Sequence, residues 1–175
     1  MKTPSAPAGY HTVNSFIITA DAAAMIAFLT EVFGAEEIPE AHTLDDDGLL
    51  LHSELKIGDS TVMVADRKPD WPFTPSLLQI YVADLEVTLA AAQRLGARVV
   101  TTPTDFFGDI LSRVLDPWGN LWWVYQHSDD AVDWDESAAD AGEDGGEDVW
   151  SSELSPELQH AHDSLLEAMR GLGQR

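Results

Sequence analysis

His52 and Glu54 are the two residues of this sequence whose types and spacing are best suited to chemistry. They stand two positions apart in the strand-like segment LLLHSELKIG, and residues two apart on a strand project from the same face. An imidazole beside a carboxylate is part of the two-histidine, one-carboxylate arrangement that binds divalent metals. No third ligand is evident in the sequence, so an ordinary hydrogen bond between the two side chains is the favoured interpretation. We therefore predict no metal and no cofactor, with His52 and Glu54 as the candidates if a metal does bind.

Other catalytic arrangements are missing from the sequence. The chain has no cysteine, which excludes disulfides, thiolate metal sites and a cysteine nucleophile. It contains no G-x-S-x-G, no phosphate-binding P-loop and no G-x-G-x-x-G pattern. The sequence thus identifies no catalytic residue.

The segment LDPWGNLWWVYQH predicts a tight turn followed directly by an aromatic strand. Pro117 presets its own backbone angle and Gly119 tolerates the positive φ that such turns need. Because side chains on a strand alternate between its two faces, Trp122 and Trp123 must point in opposite directions.

These residues belong to two similar halves, at about 11–66 and 76–127. Each half reads as a strand, a helix and three more strands, and the helices begin at an aspartate and end at a glycine. Gly58 and Gly119 stand in matching hairpins, sixty-one positions apart. The pattern predicts a duplicated βαβββ module within a domain at 11–127.

The segments outside this domain differ from it in composition. Residues 1–10 read as a flexible leader, and residues 128–154 as a disordered acidic linker without Lys or Arg. Residues 155–173 predict an amphipathic helix that begins at Ser155. A lone helix of this length is marginal in water, so we expect it to dock on its own domain or on a dimer mate, with an outside partner as the alternative.

The net charge of −22 bears on partners and location. So many carboxylates repel phosphate backbones and anionic lipids, which predicts no binding to nucleic acid or to a membrane. The sequence shows no apolar run of membrane-spanning length and no secretory leader. We expect a cytoplasmic protein.

The segments FLTEVFGAE, ELKIGDSTVMVAD and RVLDPWGNLWWVYQH resemble the vicinal-oxygen-chelate superfamily, which includes glyoxalases, extradiol dioxygenases and fosfomycin- and bleomycin-resistance proteins. The similarity is strongest to its PhnB-like branch and covers about residues 11–127. It implies an α+β fold in which tandem βαβββ modules form incomplete barrels around a shared cavity, and it implies a homodimer. It also implies that Trp123 faces the cavity and Trp122 the helix layer.

Enzymes of this superfamily bind a divalent metal through side chains on the first and last strands of each half. The resemblance carries these ligand positions to Asn14, to Val62 or Val64, to Leu77 and to Trp123. None of them is His, Asp or Glu, so metal binding in the family manner is not expected.

The resemblance and the strand alternation together give a candidate ligand pocket of aromatic walls and a few polar groups. As an alternative, the aromatic side chains simply fill the half-barrels as core. A charge on the apolar strand of Arg113 needs a carboxylate partner, for which we expect Glu54, and after it Asp105 or Asp109. Phe106 and Phe107 are expected in a lid loop. The candidate ligand-binding residues are Asn14, Phe16, His52, Glu54, Gln79, Tyr81, Phe106, Phe107, Arg113, Trp123 and Tyr125.

The favoured function is binding of a small molecule, aromatic or cationic, as in a resistance or sequestration protein. Two alternatives stay open, and with them the question whether the protein is an enzyme. One is a metal-dependent lyase, isomerase or dioxygenase that uses a non-standard site at His52 and Glu54. The other is an interaction scaffold that recruits a partner through its acidic tail.

Overall fold

The computed structural model describes residues 6–129 and 155–172, which form two open β-sheets and three α-helices. The first half contains β1 (Ser15–Thr19), α1 (Ala22–Phe33), β2 (Glu36–Glu37), a 3-10 turn (Pro39–Ala41), β3 (Thr43–Leu44), β4 (Leu50–Ile57) and β5 (Ser60–Asp66). The second half contains β6 (Leu77–Tyr81), α2 (Leu85–Arg94), β7 (Arg98–Phe106), β8 (Asp109–Leu115) and β9 (Leu121–Gln126), and α3 (Pro156–Leu172) follows it. The predicted linker lies outside the described residues from position 130 to position 154.

Each half builds its own sheet with the same topology. The strand order is β1-β5-β4-β2 in the first half, where β3 also pairs with β4, and β6-β9-β8-β7 in the second. In both sheets the first strand pairs in parallel with the last strand of its half, and the remaining pairs are antiparallel. The predicted α+β fold of duplicated βαβββ modules is confirmed, and β1 and β6 are left as edge strands.

The helix ends follow from single residues that the sequence analysis identified. The carboxylates of Asp21 and Asp84 each accept a hydrogen bond of 2.9 Å from a backbone N–H of the first turn of their helix. Gly34 ends α1 with a φ of 66°, a left-handed conformation that favours glycine. The two helices therefore begin in the same way, whereas α2 ends at Arg94 with Leu95 as its C-cap and the left-handed Gly96, φ 89°, one residue later.

The main hydrophobic core lies between the sheets and the helices α1 and α2, and both halves contribute to it. Phe33 at the end of α1 packs against Trp122 of β9 with ring centroids 4.8 Å apart, and Phe28 meets Trp118 edge-on at 5.7 Å. The side chains of Glu31 and Arg94 pair at the surface between α1 and α2. The burial of these large aromatic side chains joins the two halves into one body.

The turn before β9 is organised by one buried carboxylate. Asp116 accepts hydrogen bonds from the backbone N–H groups of Trp118 and Asn120, at 3.0 and 2.8 Å, and from the Asn120 side chain at 2.8 Å. The indole N–H of Trp122 donates a fourth hydrogen bond to it, at 3.0 Å. Asp116 is 2% exposed, so these donors replace the water that the carboxylate loses on burial.

The helix α3 packs against β7 of its own chain, on the sheet face opposite α2. The Ser155 hydroxyl accepts a hydrogen bond from the Leu158 N–H and begins the helix, as its sequence predicts. Its buried face consists of Ala161, Ala168 and Leu172. The structure thus places α3 on its own domain, one of the expected docking positions. None of the three described helices has the length and hydrophobicity of a membrane-spanning segment.

Candidate functional site

Each sheet has one face toward α1 and α2 and one face away from them, which we call its barrel face. In the second half, Trp122 and Val124 belong to the helix-side core, whereas Trp123 and Tyr125 pack with residues of α3. In the first half, Val62 and Val64 belong to the helix-side core. Trp122 therefore faces the helix layer as predicted, and Trp123 points to the opposite face, where it packs beside α3. That Trp123 lines a ligand cavity stays a prediction.

The first barrel face brings together Phe16, His52 and Glu54. The rings of Phe16 and His52 lie 5.9 Å apart, and His52 Nε2 is 3.1 Å from Glu54 Oε1. The hydroxyl of Tyr10 also hydrogen-bonds to the Glu54 carboxylate. These hydrogen bonds, that of Tyr10 first and that of His52 second, hold the pKa of Glu54 below its ordinary value. The His52–Glu54 pair thus forms the predicted hydrogen bond.

Residues at the end of the predicted leader pack on this same face. The Lys56 ammonium donates to the backbone carbonyl of Gly9 and to the Thr61 hydroxyl, and it lies 5.1 Å from the centre of the Tyr10 ring. Tyr10 was not among the predicted site residues, because a single aromatic residue in a leader rich in Pro and Ala gives no periodic signal.

The second barrel face carries a continuous cluster of aromatic rings. Tyr81 packs on Tyr125 at 5.4 Å between ring centroids, Tyr125 meets Phe106 at 6.2 Å, and Phe106 meets Phe107 at 5.0 Å. Tyr81 is 56% exposed, whereas Tyr125 is 8% exposed. The rings therefore run from the solvent at the edge strand β6 into the covered part of the sheet.

The placement of Phe106 and Phe107 in a lid loop is wrong. Phe106 ends β7, and Phe107 with Gly108 makes the short turn into β8. Phe107 has a φ of 57°, which is unusual for a residue other than glycine. β7 continues to Phe106 through a polar segment that contains Pro103, and its register shifts between Val99 and Thr101 and again between Thr101 and Thr104. This irregular pattern is why the segment predicts a loop.

Arg113 lies at the centre of the second barrel face and is 4% exposed. Its Nη1 donates to the backbone carbonyl of Ala161 in α3 at 2.6 Å and to the hydroxyl of Thr101 at 3.2 Å. Its guanidinium carbon is 5.1 Å from the centre of the Trp123 ring. Burial lowers the pKa of Arg113 from its ordinary value.

The prediction that Arg113 pairs with a carboxylate is wrong for the part of the chain that the structure describes. Arg113 makes no ion pair with any residue that the structure describes. Glu54 lies on the other barrel face with Tyr10 and His52, and Asp109 accepts hydrogen bonds from His127 and from the Ser128 N–H. The helix α3 supplies the acceptor instead, and its docking position was not readable from local sequence patterns.

The remaining predicted residues border a groove between the edge strands β1 and β6. The groove has a volume of about 610 Å³ and is lined by Asn14, Gln79 and Tyr81 among others. The Asn14 side chain bonds to the backbone N–H and carbonyl of His11, and Gln79 Nε2 donates to the Tyr81 hydroxyl at 3.2 Å. The eleven candidates are thus divided among two barrel faces and this groove.

The residues at the family's metal positions do not fit a divalent ion. Phe16 pairs with Met63 in the first sheet, and Gln79 pairs with Trp123 in the second. The residue of the first half that is equivalent to Trp123 is therefore Met63, and not Val62 or Val64. Thioether and indole side chains are poor ligands for such ions. No group of three or more His, Cys, Asp or Glu side chains able to hold a metal occurs in the residues described.

Comparison with known proteins assigns the fold a family. The model of the Glyoxalase/Bleomycin resistance protein/Dioxygenase superfamily matches residues 10–124. An uncharacterized protein of Mycobacterium bovis, Mb0911c, is 30% identical over 122 residues, which are 63% of this chain and 79% of that protein.

Solved structures agree in fold. A glyoxalase/bleomycin resistance protein/dioxygenase family enzyme from Burkholderia phytofirmans PsJN aligns with a TM-score of 0.54 at 21% identity, over 65% of this chain and 95% of that one. The fosfomycin resistance protein FosX from Mesorhizobium loti aligns with a TM-score of 0.50 at 14% identity, over 67% of this chain and 92% of that one. At these identities the likeness concerns the fold.

Proposed function

Because the chain belongs to the glyoxalase/bleomycin resistance protein/dioxygenase superfamily, we propose that it binds a small aromatic molecule and holds it without chemical change, in a sequestration or resistance role. The site is the uncovered part of the second barrel face, between β6 and α3. We also propose that the protein belongs to the PhnB-like branch of this superfamily, which its sequence resembles.

The observation that carries this proposal is the aromatic cluster that ends in the exposed ring of Tyr81. The exposed ring of Tyr81 packs on the buried ring of Tyr125 at 5.4 Å, which restricts its movement. Its free side is a surface on which an aromatic ligand can stack. Leu77 and Gln79 stand on the same face of the same strand, and Leu77 is 49% exposed. An apolar surface beside a carboxamide and a hydroxyl supplies both contact area and hydrogen bonds for orientation.

The charge on this face bears on the alternative of a cationic ligand. The face carries charged side chains of both signs. The Arg113 guanidinium lies buried at its centre, and the Asp109 carboxylate lies at the start of β8, where it accepts hydrogen bonds from His127 and from the Ser128 N–H. Because Arg113 is the charge beside Trp123 and its Nε has no acceptor in the part of the chain that the structure describes, we assign the site to neutral or anionic aromatic molecules.

A binding measurement on the full-length protein tests the proposal. We expect naphthamide, a neutral aromatic probe, to bind saturably in isothermal titration calorimetry. Tyr81→Ala should weaken this binding about tenfold or more, since stacking on an aromatic side chain contributes on the order of 1–3 kcal/mol. Trp71→Ala is the matched control, because Trp71 is 43% exposed and lies outside both barrel faces. Equal affinity of the two variants, or no saturable binding, would contradict the proposal.

The metal-dependent alternative has its own test. The purified protein is dialysed and analysed for transition metals, together with His52→Ala. The binding proposal predicts less than stoichiometric metal in both samples. A stoichiometric metal that His52→Ala removes would instead place metal chemistry on the first barrel face.

A further inference from the structure

Arg113 is a buried cation whose hydrogen-bonding capacity is only partly used. Its Nη1 has two acceptors, Thr101 and the Ala161 carbonyl. Its Nε is buried and has no hydrogen-bond partner. A buried guanidinium N–H left without an acceptor costs free energy, and Arg113 has no carboxylate partner among the residues that the structure describes.

The acceptor that α3 provides is a neutral backbone carbonyl. A guanidinium matches a carboxylate or a phosphonate better, because two parallel N–H groups can then donate to two anionic oxygens. The Ala161 carbonyl oxygen, 2.6 Å from Nη1, occupies a position that one oxygen of such an anion could take.

The face of α3 toward the sheet has few large buried side chains. Its buried residues are two alanines and Leu172, with Leu165 partly buried beside them, whereas Leu166 and Met169 are 39% and 40% exposed. Hydrogen bonds between the hydroxyls of Thr101 and Ser164, and between the Thr102 hydroxyl and His160 Nε2, add to the contact at 2.7 and 2.9 Å. Single hydrogen bonds between neutral groups contribute little net stability, so a ligand of moderate affinity can compete with the docked helix.

We propose that Arg113 is an anion-binding group that α3 covers when docked, and that the ligand is an aromatic carboxylate or phosphonate which displaces the helix. This inference rests on the proposed function and names the class of ligand for the same face. The anion pairs with the Arg113 guanidinium and the aromatic body lies along Trp123 and Tyr125, toward the exposed ring of Tyr81.

The placement of Arg113 on Trp123 favours this role over a purely structural one. The guanidinium lies over the indole at 5.1 Å, which fixes its position without a carboxylate. The Thr101 hydroxyl holds Nη1 from the β7 side. Both contacts come from the sheet itself and persist when α3 leaves, so the binding group stays in place.

The test compares naphthoate with naphthamide, which differ in charge and share their aromatic body, on variants of the full chain. Ala168→Asp places a charge on the buried face of α3, and Leu166→Asp places the same charge on its exposed face as the control. Because a ligand pays for displacing a docked helix, naphthoate should bind Ala168→Asp about tenfold or more tighter than wild type or Leu166→Asp. In the Ala168→Asp background, Arg113→Met should reduce naphthoate affinity to that of naphthamide, while Arg113→Lys keeps part of the difference.

A second measurement covers the case in which Arg113→Met does not fold. In the wild-type protein, the Nε–H resonance of Arg113 should shift on addition of naphthoate and stay unchanged with naphthamide. Naphthoate affinity that is equal in Ala168→Asp and Leu166→Asp, or an unshifted Arg113 resonance at saturation, would overturn the inference. If naphthamide binds and depends on Tyr81 while naphthoate has no advantage, the inference fails and the proposed function stands; if neither probe binds, both fail.

Discussion

Trp122 and Trp123 are neighbours in sequence that have different structural roles. Trp122 is 2% exposed, packs on Phe33 in the shared core and donates its indole N–H to Asp116. Trp123 lies half-buried beneath Arg113 and α3. The alternation of a β-strand alone separates a residue that holds the fold from one that lines the candidate site.

Alanine substitutions should separate these two roles. Trp122→Ala leaves a cavity in the core and a carboxylate short of one donor, so we expect a loss of about 3–5 kcal/mol in the free energy of unfolding. Trp123→Ala should cost less stability and should weaken naphthamide binding. Urea unfolding monitored by circular dichroism and calorimetric titration measure the two effects. If Trp122→Ala and Trp123→Ala lose the same stability and neither changes naphthamide binding, the face of Trp123 is not the binding site.

At the residue scale the sequence predicts faces better than it predicts partners. The alternation of Trp122 and Trp123 follows from geometry within one strand. The sequence places the counterpart of Trp123 at Val62, one residue from its true position. This position was counted from the hairpin glycines Gly58 and Gly119, as if the two turns had the same length. The first turn is in fact short, and the second is the longer Asp116–Asn120 turn. The partner of Arg113 depends on where a distant helix docks, which no local pattern contains.

At the scale of elements, β4 carries a polar network on an otherwise ordinary strand. Glu54 accepts hydrogen bonds from Tyr10 and interacts with His52, while Leu55 next to it is fully buried on the helix side. The network fastens the segment before β1 onto β4. It therefore contributes to stability as well as to the polarity of the first barrel face.

The depressed pKa of Glu54 predicts an acid-dependent stability. A carboxyl group whose pKa is lower in the folded state stabilises the protein at pH values above its ordinary pKa of about 4.3. This contribution disappears as the pH falls through the pKa of the folded state. The difference in unfolding free energy between wild type and Glu54→Gln should thus be constant near neutral pH and shrink in acid. Tyr10→Phe should reduce the difference, since its hydroxyl is the first cause of the shift. A difference that does not change with pH, measured by urea unfolding, would contradict this account.

The helices were easier to predict than the short strands. Asp21, Asp84, Ser155 and Gly34 act through hydrogen bonds and backbone angles within one turn, and all four have the predicted roles. The second strand of the first half is only two residues long, because Pro39 begins a 3-10 turn there. A proline lacks the N–H that a continuing strand pair needs.

At the scale of the whole molecule, the two halves share topology and differ in what covers them. The second barrel face has α3 across it, whereas the first leaves Phe16 46% exposed. The duplication was readable from the repeated pattern of helix ends and hairpins. The asymmetry was not, because it arises from a tertiary contact between segments far apart in the chain.

We predict that the protein forms a homodimer through its open surfaces. The edge strands β1 and β6 have unpaired sides, and such edges are commonly covered by a partner. Sedimentation velocity at micromolar concentration should give twice the mass of one chain. Phe16→Glu beside the β1 edge should favour the monomer, while Leu166→Glu on the outside of α3 serves as the control. A monomeric profile for the wild type would reject the prediction.

The Asp116 turn also bears on the order of events in folding. Its four hydrogen bonds connect residues at most six positions apart, so they form at little loop-closure cost. The carboxylate of Asp66, in contrast, accepts from the N–H groups of Ala22 and Leu50, across 44 and 16 positions. We expect Asp116→Ala to slow refolding and Asp66→Ala mainly to speed unfolding in stopped-flow measurements. The β8–β9 hairpin would then be part of the folding nucleus. If both variants change the refolding rate and the unfolding rate in the same proportion, this order is wrong.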